Sequence, residues 1–512
     1  MTSSAAGNLT FNSTINGAQN LTINSGSGPI ILGSTIGDTT PIGVLSLTSS
    51  TAINIGGNIS NSGTQTFTGP AVLTADSVIS TTSSAAAGNA ISFTSTINGT
   101  TNNTESLTLN SGTTGTVGVT GIIGGTTALK NLTITNSGGT TFSAAVTTGT
   151  GVVLTNTTGT ITFTGALTTG ALNIGAQAFN LSLPASTGSI TNAVTFANTG
   201  TLRLGASGGT QTYTGGFVAT APSAITLNGT FNTSDAISIG DSNTGVTLGS
   251  ATVITTAAGN GSLTIGGTIS GSGIDLSLSS GSGLISVQRA LGASATPLGT
   301  LTIAASGTQT GAVTISNNIY ASTLTVNSGA YDLNLTGATL VIPNAITFNN
   351  TGVVQLGALS TDTHTFAAGM TATAPSEVKL AGSFSATSAT FRIGDSDTPT
   401  TLLANTSFDV SSVTSSLTTY TSDTTWVVPF GVSLLTVDAR GAGSGGSGGR
   451  VQATVAVTQG NTLLIQFAGA GAGGTGKGWP GNGLAGGNYA GLFVTSVSAS
   501  NALVIAGGGG GN

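Results

Sequence analysis

The chain has 512 residues, of which only 4% are Asp, Glu, Lys or Arg, against about 25% in an ordinary globular protein. Its net charge of −6, with eight scattered Lys and Arg, cannot neutralise a track of phosphates and argues against nucleic-acid binding. The lack of cysteine excludes a disulfide scaffold and thiolate chemistry. Disorder is excluded for most of the chain by its Val, Ile and Thr and its positive mean hydropathy of +0.35; no run of eighteen apolar residues offers a transmembrane segment.

The first elements repeat. "AGNLTFNSTINGAQNLTINSGSG" from Ala6 is echoed by "AGNAISFTSTINGTTNNTESLTLNSGT" from Ala87. "IGDTTPIGVLSL" from Ile36, "IGGTTALKNLTI" from Ile123 and "LGASATPLGTLTI" from Leu291 are versions of a second unit. "TQTFTG" at Thr64, "TITFTG" at Thr160, "TQTYTG" at Thr210 and "THTFAAG" at Thr363 are versions of a third. The longest match sets "NAVTFANTGTLRLG" from Asn192 against "NAITFNNTGVVQLG" from Asn344. It runs on through "ATAPS" at Ala219 and Ala372 and "IGDS" at Ile239 and Ile393. The offset drifts from 152 to 154 residues, as single insertions in turns would make it.

Within each unit, three to five residues alternate between apolar and Thr or Ser, and each run closes on Gly, Asn or Ser. Period two with β-branched residues predicts short strands, and the punctuation predicts tight turns. No stretch has a sustained helical stripe. The expected fold is all-β: a parallel β-helix over residues 1–417, rather than a string of sandwiches. Coils of roughly twenty residues would stack at about 4.8 Å, giving on the order of twenty coils and a rod of about 100 Å. Stacking places like residues over one another, which favours Thr, Asn and aliphatic ladders and penalises like charges. Before Arg203 the only charged residues are Asp38, Asp76, Glu105 and Lys130. Phe67, Phe163, Tyr213 and Phe366 are expected to point inward.

The text changes near Tyr420, so residues 418–512 are expected to form a smaller glycine-rich β module. "WVVPFGVSLLTVDARGAG" reads as two strands around a Pro-Phe-Gly turn, and "RVQATVAVTQGNTLLIQFAGAG" as a hairpin turning at Gln459-Gly460-Asn461. Repeat text opens at once and the last residues stop in a glycine run, "VIAGGGGGN", which suggests a piece of a longer polypeptide with a truncated module. The first coil shows no polar cap, and the chain carries little charge. Self-association end to end or side by side, into filaments or sheets, is therefore expected.

The repeats "GNLTFNSTINGAQNLTINSGSG", "IGDTTPIGVLSLTSSTAINIGGNI" and "TQTFTGPAVLTADSVIST" resemble those of giant bacterial surface adhesins of the β-strand-repeat, filamentous-haemagglutinin-like kind, over about residues 5–415. The stretch from Thr424 is similar to glycine-rich domains of bacterial surface proteins and phage tail fibres. The resemblance implies secretion to the cell surface, a β-helical stalk and a structural, adhesive or biofilm role. The alternative is a fibre that binds carbohydrate or a host receptor. A Thr-rich flat face also permits ice binding.

Candidate chemistry is sparse. The chain is read as not an enzyme, with no catalytic, cofactor-binding or metal residue assigned and no cofactor. Residues 131–202 hold no charge. The local clusters are Asp235 with Asp241, Asp362 with His364, Arg392 with Asp395 and Asp397, and Asp438 with Arg440. "IGDSNTG" and "IGDSDTP" offer hard oxygens for calcium at Asp241 and Asp395, but Asp and Ser are also ordinary turn formers. His364 reads as a solvated residue on a strand. Trp479, in "KGWPGNG" from Lys477, reads as a packed turn residue, or else as a sugar-stacking ring. Sequons such as Asn8-Leu9-Thr10 follow from composition.

Overall fold

The computed structural model describes residues 7–305, 307–387, 389–410, 418–429, 432, 434–441, 448–467, 489–494, 496 and 498–507. From Leu9 to Asp409 the chain winds into a β-solenoid of about 17 turns. The pairings between named strands there are parallel, because each strand meets its equivalent one coil on. Each coil places one short strand on each of three faces. In the first described coil these are Leu9–Phe11 on the first face, Ile15 bridging to Ile36 on the second, and Leu21–Asn24 on the third.

The coils are longer and more uneven than twenty residues. Ala71 stacks on Ile53 after 18 residues, whereas Leu107 stacks on Ser77 after 30. About 17 turns at about 4.8 Å make a solenoid of about 80 Å rather than 100 Å. The difference lies in the corners, which take up loops such as residues 81–90 and 100–106 without disturbing the strands.

Alternation builds the core. Strands such as Ile53–Ile55 and Leu263–Ile265 bury their first and third residues and turn the second outward. One apolar core runs from Ile23 to Phe384. Phe67, Phe163, Tyr213 and Phe366 all point inward and are at most 2% exposed. Aromatic rings stack rung on rung: Phe67 on Phe93 at 4.2 Å between centroids, and Phe142 on Phe163 at 4.7 Å.

The duplicated block does not land on the same faces. Thr210–Tyr213 lies on the first face, between Thr187–Ile190 and residues 230–232. Its counterpart Thr363–Phe366 lies on the third, between Thr339–Ile342 and residues 383–385. Likewise Thr201–Leu204 belongs to the third face and Val353–Leu356 to the second. Every strand of the second copy sits one face back, so the three faces are interchangeable hosts for one strand pattern. Some inward residues are kept across the copies (Leu204 with Leu356, Phe231 with Phe384) and others are exchanged (Gln211 with His364), and outward positions such as Arg203 with Gln355 and Ser238 with Arg392 differ.

Beyond Asp409 the ladders become antiparallel. Thr424–Val427, Thr462–Phe467, Ala490–Val494 and Ala502–Ala506 form a four-stranded sheet. Leu434–Arg440 pairs with Arg450–Ala456 as a separate ribbon. Val428, Leu463, Leu492 and Val504 make a second core. The expected hairpin around Gln459-Gly460-Asn461 is not formed. Those residues do turn, with Gly460 at φ 80°, but the strands on either side join different sheets. The apolar sides of ribbon and sheet face each other across the second core, which a simple hairpin would leave open.

Candidate functional site

The solenoid's outward residues form columns set by strand register. On the third face, Thr22, Ser46, Thr66, Ser92, Gly118, Thr141, Thr162 and Ser182 follow one another rung by rung, up to Arg203. On the first face, Thr187, Thr210, Thr230, Val253, Ser277, Thr302 and Thr325 do the same. These columns carry no charge. Small hydroxyl side chains at the coil spacing, interrupted at Gly118 and Val253, make these columns mostly polar and neutral.

Corners are fastened by Asn and Asp. The side-chain oxygen of Asn16 accepts from Thr39 N–H of the next coil at 3.0 Å, that of Asn58 from Val78 at 2.8 Å, and that of Asn180 from Thr201 at 2.8 Å. Asp76, Asp275 and Asp332 act the same way toward Ser106, Thr300 and Val353, at 2.7, 2.6 and 2.8 Å. Several of the chain's few carboxylates are therefore occupied in joining coils. Glu105, 7% exposed, is held by the hydroxyls of Thr100 and Thr104 and by Thr101 N–H. Burial alone would raise its pKa; the donated hydrogen bonds outweigh burial and hold the carboxyl below its ordinary value.

Asp241 and Asp395 are turn residues built alike in both copies of the block. Asp241 Oδ1 accepts from the N–H groups of Asn243 and Thr244, both at 2.8 Å; Asp395 Oδ1 accepts from Asp397 and Thr398 at 3.0 and 3.1 Å. The Thr hydroxyls reach back to Pro222 and Pro375 carbonyls at 2.8 Å. Backbone donors hold both carboxyls below the ordinary Asp range. Gly240 (φ 66°) and Gly394 (φ 69°) supply the left-handed residue before each turn. Asp235 stands at the opposite end of strand Ile237–Ile239 from Asp241 and caps Ala236 N–H at 2.7 Å, so the two do not converge. Among the described residues no group of three His, Cys, Asp or Glu is placed to hold a metal ion.

His364 is not solvated. It points inward, 1% exposed, with Nε2 3.2 Å from the Ala381 carbonyl and its ring 4.6 Å from that of Phe384. Desolvation pushes its pKa down, against opposing effects from the Ala381 carbonyl and Asp362. The repeat text held the signal. In "TQTF", "TQTY" and "THTF" the second residue is an inward polar one, and Gln65 and Gln211 are buried as His364 is. Asp362 is buried as well, its Oδ2 accepting from Ala358 and Leu359 N–H at 2.8 Å. It braces a corner and makes no dyad with the imidazole.

Asp438 on the C-terminal ribbon receives Arg440 at 2.9 Å, as the sequence pairing expects, and also Arg450 at 2.8 Å from the facing strand. Arg450 and then Arg440 hold its carboxyl well below the usual range. Arg392 faces outward beside the Asp395 turn. Lys477 and Trp479 lie outside the described residues. Among the described residues no helix is long and apolar enough to cross a membrane. No protein-family model, curated protein or solved structure matches the chain.

Proposed function

We propose that the chain is a structural and adhesive element of an extracellular surface, with the solenoid as its stalk. The observation that carries this reading is the neutral Thr and Ser columns on flanks with continuous backbone ladders beneath. Ladders that engage every coil resist local opening, and flanks without charge can pack against one another or against a neutral polymer with little repulsion. In this reading the repeats act as those of bacterial giant adhesins do, the protein is exported, and side-by-side packing makes filaments or sheets.

Beads coated with the full chain test the proposal. They are expected to cluster in a coating-density-dependent way, and the stalk to survive protease that digests the C-terminal module. Dispersed beads at every density, together with saturable binding to a defined oligosaccharide, would replace this reading with a glycan-binding fibre. Thermal hysteresis in the freezing point would point to ice instead.

A further inference from the structure

Four Asn-Gly pairs lie among the described residues, at Asn16, Asn98, Asn228 and Asn260. Such a pair is chemically weak, because a glycine nitrogen, with no side chain beside it, can attack the preceding side-chain amide. The fold treats the four differently. The Gly17 N–H donates to the Thr40 carbonyl at 3.0 Å and the Gly99 N–H to that of Thr127 at 3.1 Å. Asn228 is buried in strand Ala224–Asn232, and its Nδ2 donates to the Leu204 carbonyl at 3.3 Å. Asn260 is exposed and stands in the left-handed region at φ 62°. Its Nδ2 and the Gly261 N–H meet no acceptor among the described residues. Its Oδ1 accepts from the Ser282 N–H of the next coil at 2.8 Å. Asn16 and Asn98 hold the next coil in the same way, through Thr39 and Thr126. Of the four, only Asn260 joins a held side-chain oxygen to a free glycine nitrogen.

We propose that Asn260 is a modification site, at which the folded chain deamidates itself. The Gly261 nitrogen bonds to Cγ of Asn260, the Cγ–Nδ2 bond breaks, and ammonia leaves with the proton that the nitrogen gives up. Water then opens the five-membered imide at one of its two carbonyls and leaves a carboxylate. No electrons are exchanged. As the nitrogen attacks, negative charge builds on Oδ1, where the Ser282 N–H already stands, and a donor aimed at developing charge lowers the barrier. At Asn16 and Asn98 the attacking nitrogen must first give up its hydrogen bond to the next coil, and at Asn228 water is shut out. Opening toward aspartate keeps the corner, since a carboxylate there accepts from the next coil as Asp76, Asp275 and Asp332 do. It also sets a new negative charge beside that of Asp235 one coil earlier. Gly261 is packed against that residue, and a Cβ on it would stand 2.2 Å from the Asp235 carbonyl carbon. Opening toward isoaspartate lengthens the main chain by one carbon in the same tight place.

Incubation of the full chain in heavy-oxygen water at mildly alkaline pH, followed by peptide mapping, tests this. Each event is read as a side-chain amide exchanged for an acid that carries heavy oxygen. In the folded chain Asn260 is expected to convert on the order of tenfold faster than Asn16, Asn98 and Asn228, whose reacting groups are tied or buried. In urea the four rates are expected to converge, with the other three accelerated and Asn260 not. Circular dichroism and protease resistance confirm that the chain incubated without urea is folded. An Asn260 that stays intact in the folded chain, or converts no faster than the other three, would overturn the inference. So would an acceleration of Asn260 by urea as large as theirs, because the fold would then protect all four alike.

Discussion

His364 occupies the place of Gln211: both are inward, second in the duplicated "T-Q/H-T-aromatic" strand, and each bonds a backbone carbonyl through a side-chain nitrogen. Gln211 does so from the first face and His364 from the third. A neutral amide thus stands in one copy where a titratable ring stands in the other.

Acid should therefore weaken the coils around His364. Its folded pKa is depressed, so the unfolded chain binds the proton more readily. The stability contributed by the neutral ring is fully present above about pH 6.5, the unfolded value, and is lost as pH falls toward the folded pKa. His364→Gln, which copies the Gln211 arrangement, is expected to flatten the fall in melting temperature between pH 7 and pH 5. Equal slopes for the two proteins would show that the imidazole stays neutral in both states or is solvated.

Chelator is expected to shift the melting temperature by less than about 1 °C, because the Asp241 and Asp395 carboxylates already accept backbone N–H groups. Asp395→Asn should keep the turn, since an amide oxygen accepts the same bonds, and Asp395→Ala should lose it. A fall of many degrees on calcium removal would make these turns ligand sites.

Phe67 stacks on Phe93 in the core. Phe67→Ala should cost about 3–5 kcal/mol locally. Because the strand ladders join each coil only to its neighbours, the damage should stay local. Limited proteolysis is expected to cut first between residues 60 and 95 while coils beyond residue 200 stay intact. Simultaneous loss of the whole solenoid would show longer-range cooperativity than stacking implies.

Shortening the chain to residues 1–415 should leave the solenoid folded, because its apolar core is separate from that of the C-terminal sheet. Far-UV circular dichroism of both forms should be β-type, with helix below about a tenth of residues. Unfolding of the shortened chain would mean that the two cores depend on each other.

The strands, the turns and the inward aromatic residues were legible in the sequence. Alternation with period two decides which side chains enter a core before any partner is known, and Gly240 or Gly394 marks a turn because a left-handed residue is needed there. The nature of Asp241 and Asp395 was half legible, since Asp-Ser in a turn serves a backbone cap and a cation equally well. Only the fold shows their oxygens engaged.

The face of each strand was beyond the sequence. Face is the running total of corner lengths, and coils here range from 18 to 30 residues, so one block of text sits on one set of faces at Asn192 and is turned back by one at Asn344. The burial of His364 and Asp362 likewise depends on the coils above and below. Local alternation determined that this chain makes strands with an apolar side. The stacking of coils decided which polar groups were sealed within, which outward Thr residues lined up into columns, and that Leu402 and Phe408, inward by pattern, stand open at the end of the stack.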